Sequence, residues 1–293
     1  MQLDISDSTY INFIEIALEL VGVIPPYASK YSKRTFTQQQ LFVLLILKQK
    51  LRLSYDNFID DLKTRKDILL TLGFSRLPSP SCLKMFARRI KAKFIELLIG
   101  NSINLTKKRK VKLGVDSTGF ELEDGSFYYT KRVGLSTKYK KYLKLSASAD
   151  LDKQIIISTK IRKGYSNDTI DLIPLVKSSA KIKKIKSVAA DKGYDSNKNH
   201  KFVMETLQAK SLIATKNYGN KRHRNWRKDW RRTAKKHFNK REYHQRSKIE
   251  TIFYVIKHLF GAIIHAKKWV MQQKEMLFRV LAYNVYRLTK MRM

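Results

Sequence analysis

The sequence is poor in cysteine, in acids and in long apolar runs, and each shortage excludes something. Cys82 is the single cysteine in 293 residues. One thiol cannot form an internal disulfide or a cysteine zinc cage, and it suits a reducing cytoplasm. Acids number 24 against 61 Lys and Arg, a formal charge of +37. A folded chain so charged repels itself unless a polyanion is near, so nucleic acid is the expected partner. The apolar stretch 11–25 is interrupted by Glu15 and Glu19, and Leu41–Leu47 is far too short to cross a bilayer. A surface membrane role would call for a basic amphipathic helix beside a span or lipid anchor, and neither is visible. Asp4 and Asp7 stand where a secretory leader would be basic, so no leader is expected. There is no low-complexity tract and no internal repeat.

What is present is enough apolar material, 43% of residues, for a substantial core. Residues 1–105 read as helical. Apolar residues recur at helical spacing from Ile11 to Val23, and Pro25-Pro26 ends that segment. Thr37 predicts a cap for a helix to about Lys50, and Ser54 one to Leu62. Lys66 to Leu72 is a shorter helix closed by Gly73. Ser79-Pro80 is a cap and first-turn pair for a long helix to Ile99. Lys84, Arg88, Arg89, Lys91 and Lys93 line the polar side of that helix. Short helices ending in a basic one suggest a helix-turn-helix DNA reader.

After the run Lys107-Lys108-Arg109-Lys110 the periodicity changes from 3.6 to 2. Residues 106–293 are therefore expected to form a second domain. Its strands are predicted at Lys112–Asp116, Phe127–Val133, Tyr142–Ala149, Gln154–Ile161, Ser187–Asp191 and Ser211–Thr215. Helices are expected over Asn167–Val176, Ser196–Leu207 and Gln272–Lys290. This order predicts an α/β fold: a mixed sheet flanked by helices, preceded by an all-helical N-terminal region.

Asp116 and Asp191 each follow a short apolar strand, where a buried unpaired carboxylate would be costly, so both should sit at strand ends. Ser117-Thr118-Gly119 after the first reads as a turn. Tyr243, Arg246, Glu250 and Lys257 are spaced by three, four and seven residues. On one helix they would lie within roughly 60° of one another, beside an apolar band. Three carboxylates from two strands and a helix could share a site for hard divalent ions.

These motifs, Val115-Asp116-Ser117-Thr118, Asp191-Lys192-Gly193-Tyr194-Asp195 and the Tyr243, Arg246, Glu250, Lys257 row, resemble those of DDE transposases of bacterial or archaeal insertion sequences, in the insertion-sequence-four/five-like group. The resemblance covers about residues 110–290. It implies an RNase H-like fold and two Mg²⁺ or Mn²⁺ ions held by Asp116, Asp191 and Glu250. It also implies cleavage and joining of DNA at element ends, by a homodimer on DNA near the nucleoid. In that scheme a water, and later a DNA 3′-hydroxyl, attacks phosphorus in line, while Arg246 and Lys257 hold phosphates and Tyr243 bonds a phosphate or stacks on a sugar.

A basic insert occupies about residues 216–242. From Lys216 to Arg241 it carries twelve Lys or Arg and one acid, Asp229. Arg224, Trp226, Arg227, Trp230 and Arg231 interleave cations with aromatics, a pattern suited to phosphates and an unstacked base. His223 and His237 are too isolated to suggest zinc. Asp150, Asp152, Asp168, Asp171 and Asp195 are weaker candidates as ligands, each explained by a turn or a helix start. The rival readings are a basic DNA-binding protein without catalysis, and a structure-specific nuclease using the same three acids.

Overall fold

A computed structural model describes residues 8–107, 109–123, 142–164, 166–216 and 230–292. In chain order the elements are α1 (Thr9–Val21), α2 (Gln38–Leu51), α3 (Tyr55–Thr64), α4 (Lys66–Thr71), α5 (Pro80–Arg89) and α6 (Ala92–Asn101), then β1 (Lys110–Leu122), β2 (Tyr142–Asp150) and β3 (Ile155–Lys163). They continue with α7 (Leu172–Ala180), β4 (Lys184–Ala190), α8 (Asn197–Lys201), β5 (Lys210–Ile213), α9 (Trp230–Lys236), α10 (Lys240–His244), α11 (Ser247–Phe260) and α12 (Trp269–Arg292). The chain divides into two compact units. One is Thr106–Tyr254; the other joins the residues up to Leu105 with those from Val255 onward. α12 groups with the first six helices.

In the helical unit α2 is buried on every side from Leu41 to Leu47, as an all-apolar helix must be. Thr37 caps it with a reciprocal box: its hydroxyl accepts from the Gln40 amide at 3.1 Å, and the Gln40 side chain accepts from the Thr37 amide at 2.9 Å. Phe42 packs against Phe86 and Phe94 edge-on and against Phe278 at a tilt, at ring distances of 5.4, 5.8 and 5.9 Å. Through these rings α2 meets α5, α6 and α12. The single helix expected from Ser79 to Ile99 is two, because Ile90 takes an extended conformation after α5. The buried Lys274 ammonium donates to the freed carbonyls of Ala87 and Arg88 at 3.2 and 2.7 Å, which satisfies the broken end.

The other unit is built on a sheet ordered β3-β2-β1-β4-β5. β1, β2 and β3 are antiparallel neighbours; β1–β4 and β4–β5 are parallel. α7 packs against β2, β3 and β4. The mixed sheet flanked by helices is the expected α/β fold. One expectation fails. β1 does not end at Asp116 but runs through Ser117, Thr118 and Gly119, which pair with Ser146, Leu145 and Lys144 of β2. A partner on one edge suffices to hold these turn-prone residues extended. The strand expected at Phe127–Val133 lies outside the described residues.

Candidate functional site

The register of the parallel strands builds the site. β1 pairs with β4 as far as Val115 opposite Ala190. β4 stops there, and the next residues on the two chains are Asp116 and Asp191. Adjacent strands lie about 4.8 Å apart, so Asp191, just past the carboxyl end of β4, stands beside Asp116, which lies midway along β1 where the parallel pairing ends and the pairing with β2 continues. Asp191 is exposed, and its side chain accepts from the Lys192 amide at 2.6 Å. Its cap starts the short 3-10 turn Lys192–Tyr194.

Asp116 is mostly buried, with a side chain 20% exposed. One oxygen accepts from the Ser117 amide at 2.9 Å; the other lies 3.3 Å from Arg246 Nη1. The other end of the same guanidinium, Nη2, lies 2.7 Å from Glu250 Oε1. Arg246 therefore bridges the acid on β1 and the acid on α11. Burial pushes the Asp116 carboxyl up to about 6; the Ser117 amide and Arg246 oppose this, while Glu250 and Asp191 add to it. A carboxyl raised by burial and by neighbouring like charges is a pattern that gathers at functional sites.

The row from Tyr243 to Lys257 is not one continuous helix. Tyr243 ends up on α10, Arg246 in the connecting turn, and Glu250 and Lys257 on α11. The backbone tightens there to three-residue bonds: the Arg246 amide donates to the Tyr243 carbonyl, and the Ile249 amide to the Arg246 carbonyl, both at 2.9 Å. Tyr243 packs on Phe238 at 5.1 Å and under the Arg246 guanidinium at 5.9 Å. Lys257 falls beyond Tyr254, in the part of α11 that groups with the helical unit.

The remaining acids have other duties. Asp150 accepts from the amides of Lys153 and Lys112 at 2.9 and 3.3 Å. Asp152 pairs with Lys112 at 3.4 Å. Asp171, fully buried, takes both arms of Arg162 and the Ser146 hydroxyl. Asp168 lies 2.6 Å from the Lys144 ammonium and accepts from the Ser117 hydroxyl at 2.7 Å, so it stands one residue along from Asp116. In the sequence it is a weaker ligand candidate, explained by a helix start. Burial, with Asp168 and Asp116 near, holds the Tyr194 phenol protonated. Arg231 forms a two-pronged pair with Asp195 at 2.8 and 2.5 Å, and the Trp230 amide donates to Asn197 at 2.9 Å. Arg224, Trp226 and Arg227 lie outside the described residues. No helix among the described residues is long and apolar enough to cross a membrane.

The α/β domain thus places Asp116 and Asp191 on neighbouring parallel strands and joins Asp116 to a third acid, Glu250, through Arg246. Residues 107–285 match the family described as the Transposase DDE domain. That is more than half of the chain, and the chain belongs to this family. No curated protein matches it. Among solved structures it is similar to the piggyBac transposase in a cryo-EM synaptic complex with hairpin DNA, at 11% identity and a TM-score of 0.45, covering 97% of this chain and 73% of that one.

Proposed function

We propose that this chain binds the ends of an insertion sequence and carries out metal-dependent DNA strand cleavage and transfer, with Asp116, Asp191 and Glu250 as its metal-holding acids. The register that puts Asp116 beside Asp191 carries this reading. The donor set fits hard divalent ions: all three are carboxylates, and a guanidinium already stands between two of them. Mg²⁺ or Mn²⁺, as two ions, would supply charge neutralisation at the phosphoryl group. The chain's own part is positional. β1 and β4, neighbouring inner strands, hold two acids side by side on a rigid sheet. Tyr243 props the Arg246 guanidinium, which can trade its carboxylate partners for a DNA phosphate. Lys257 and the basic residues of 216–242 add phosphate contacts, and the basic N-terminal helices add a second DNA-binding region. Two ends must be held together, so a homodimer on DNA is the working assembly.

A specific observation favours a second reading, DNA binding without catalysis. Among the described residues no three Asp, Glu, His or Cys side chains converge as a metal site, and Arg246 engages Glu250. The deciding experiment is nicking of DNA that carries the element's ends, with Mg²⁺ or Mn²⁺, by wild type and Asp191→Asn. Cleavage by wild type alone, with a strand-joined product, supports the transposase. Cleavage without joining points to a nuclease. Equal cleavage by both proteins removes Asp191 from the chemistry.

A further inference from the structure

Asp195 is a fully buried carboxylate with four donors around it. Oδ1 meets His200 Nε2 at 3.1 Å and Arg231 Nε at 2.8 Å. Oδ2 meets the Lys216 amide at 2.7 Å and Arg231 Nη2 at 2.5 Å. Burial alone would raise this carboxyl, but the bonds from His200, Arg231 and Lys216 outweigh it and hold the group at about 2. It is therefore an ionised acceptor, so His200 Nε2 donates to it, and the other ring nitrogen faces the Ser211 hydroxyl at 2.9 Å.

The position of these donors in the chain is informative. Lys216 and Arg231 flank the most basic stretch, and one carboxylate ties both. The ties lie next to the acid site. The Ala214 amide donates to the Ala190 carbonyl at 3.2 Å, so the chain leaves β5 alongside the residue before Asp191. Asp195 itself closes the 3-10 turn that Asp191 opens, its amide donating to the Lys192 carbonyl at 3.2 Å. The Trp230–Asn197 bond adds a second tie at the start of α9. Ala234 is the buried side of α9, and Arg232, Lys235 and Lys236 form its exposed side. With both arms already on Asp195, Arg231 is an anchor and not a reader of DNA.

We propose that Asp195 is a positioning residue: through Arg231 and the Lys216 amide it fixes α9 beside Asp191, so that Arg232, Lys235 and Lys236 meet the phosphates of duplex DNA as a set. This rests on the DNA-partner reading above. The test exploits a conflict of sign. Asp195→Asn makes the protein more positive by one charge, so charge alone predicts tighter DNA binding. Loss of the tie predicts weaker binding, by about fivefold or more, to a random-sequence duplex followed by fluorescence anisotropy over a salt series. Each phosphate contact contributes about 0.9 to the slope of log K against log salt. Arg231→Gln and Arg232→Gln remove the same charge; Arg232→Gln should lower the slope by about one contact, Arg231→Gln by two or more. Hydrogen exchange in the DNA-free protein should rise across α9 in Asp195→Asn and Arg231→Gln, with β4 still protected. If Asp195→Asn does not fold, the Arg231 and Arg232 pair decides. Tighter or unchanged binding by Asp195→Asn, equal slopes for the two arginine variants, or unchanged exchange in α9 would each overturn the proposal alone. Wild type without salt-dependent DNA binding would overturn the DNA reading as well.

Discussion

Asp116 carries two opposed demands: burial disfavours its charge, while the Ser117 amide and Arg246 favour it. Its carboxyl titrates at about 6 in the folded chain, against about 3.9 unfolded. Folding therefore takes up a proton between those values, and the ionised group lowers stability as pH rises from about 4 to 6. Asp116→Asn should melt higher than wild type at pH 7.5 in metal-free buffer, by on the order of 2 kcal/mol. The advantage should vanish near pH 4, and a variant that melts lower throughout would contradict it. Arg246 makes the complementary case. Its guanidinium competes with any added cation for Asp116 and Glu250. Arg246→Gln should then bind Mn²⁺ more tightly by roughly three- to thirtyfold, as a partly screened charge at this range implies. Titration by electron paramagnetic resonance without DNA would read it, and weaker binding would show that Arg246 shapes the site instead. The apolar runs before Asp116 and Asp191 made two strands legible in the sequence, and Asp191 does follow the end of its strand while Asp116 lies within β1. The adjacency of the two acids was not legible, because it depends on the register of β1 against β4. Nor was the role of Arg231, since one arginine among twelve cations acquires its partner only when Asp195 is buried against it.

At the scale of elements, caps and periodicity gave most of the helices. Thr37, Ser54 and Ser79 each accept the amide that a capping residue should. The breaks were hidden. Neither Ile90 nor the Gln245-Arg246 turn contains Pro or Gly; the first is stabilised by Lys274, nearly two hundred residues on, and the second by a tightened ladder of backbone bonds. α2 illustrates what local pattern does decide, since its all-apolar middle leaves it nowhere to lie but inside. Phe42→Ala there should cost about 3–5 kcal/mol in urea unfolding, because three rings lose a partner at once. Thr37→Ala, which loses only the cap, should cost about 1 kcal/mol. Similar losses for the two would mean that the ring cluster is loosely packed.

For the whole molecule, the charge of +37 sets the behaviour on DNA. Binding should fall steeply with salt, with a log–log slope reporting several neutralised phosphates; a flat response in anisotropy would contradict a phosphate-dominated interface.

The last helix has a consequence for how the protein is made. α12 packs on α1, α2 and α6, and Met276, Leu277, Phe278, Val280 and Leu281 are buried in that unit. A ribosome therefore emits the first helices well before it emits the segment that completes their core. Until α12 is made, the early bundle is unfinished, and a product cut short near Tyr254 leaves its apolar surface exposed to aggregation and proteolysis. Translation must reach through α12 to yield a sound helical unit, so stops before that helix should silence the product rather than release a competing fragment.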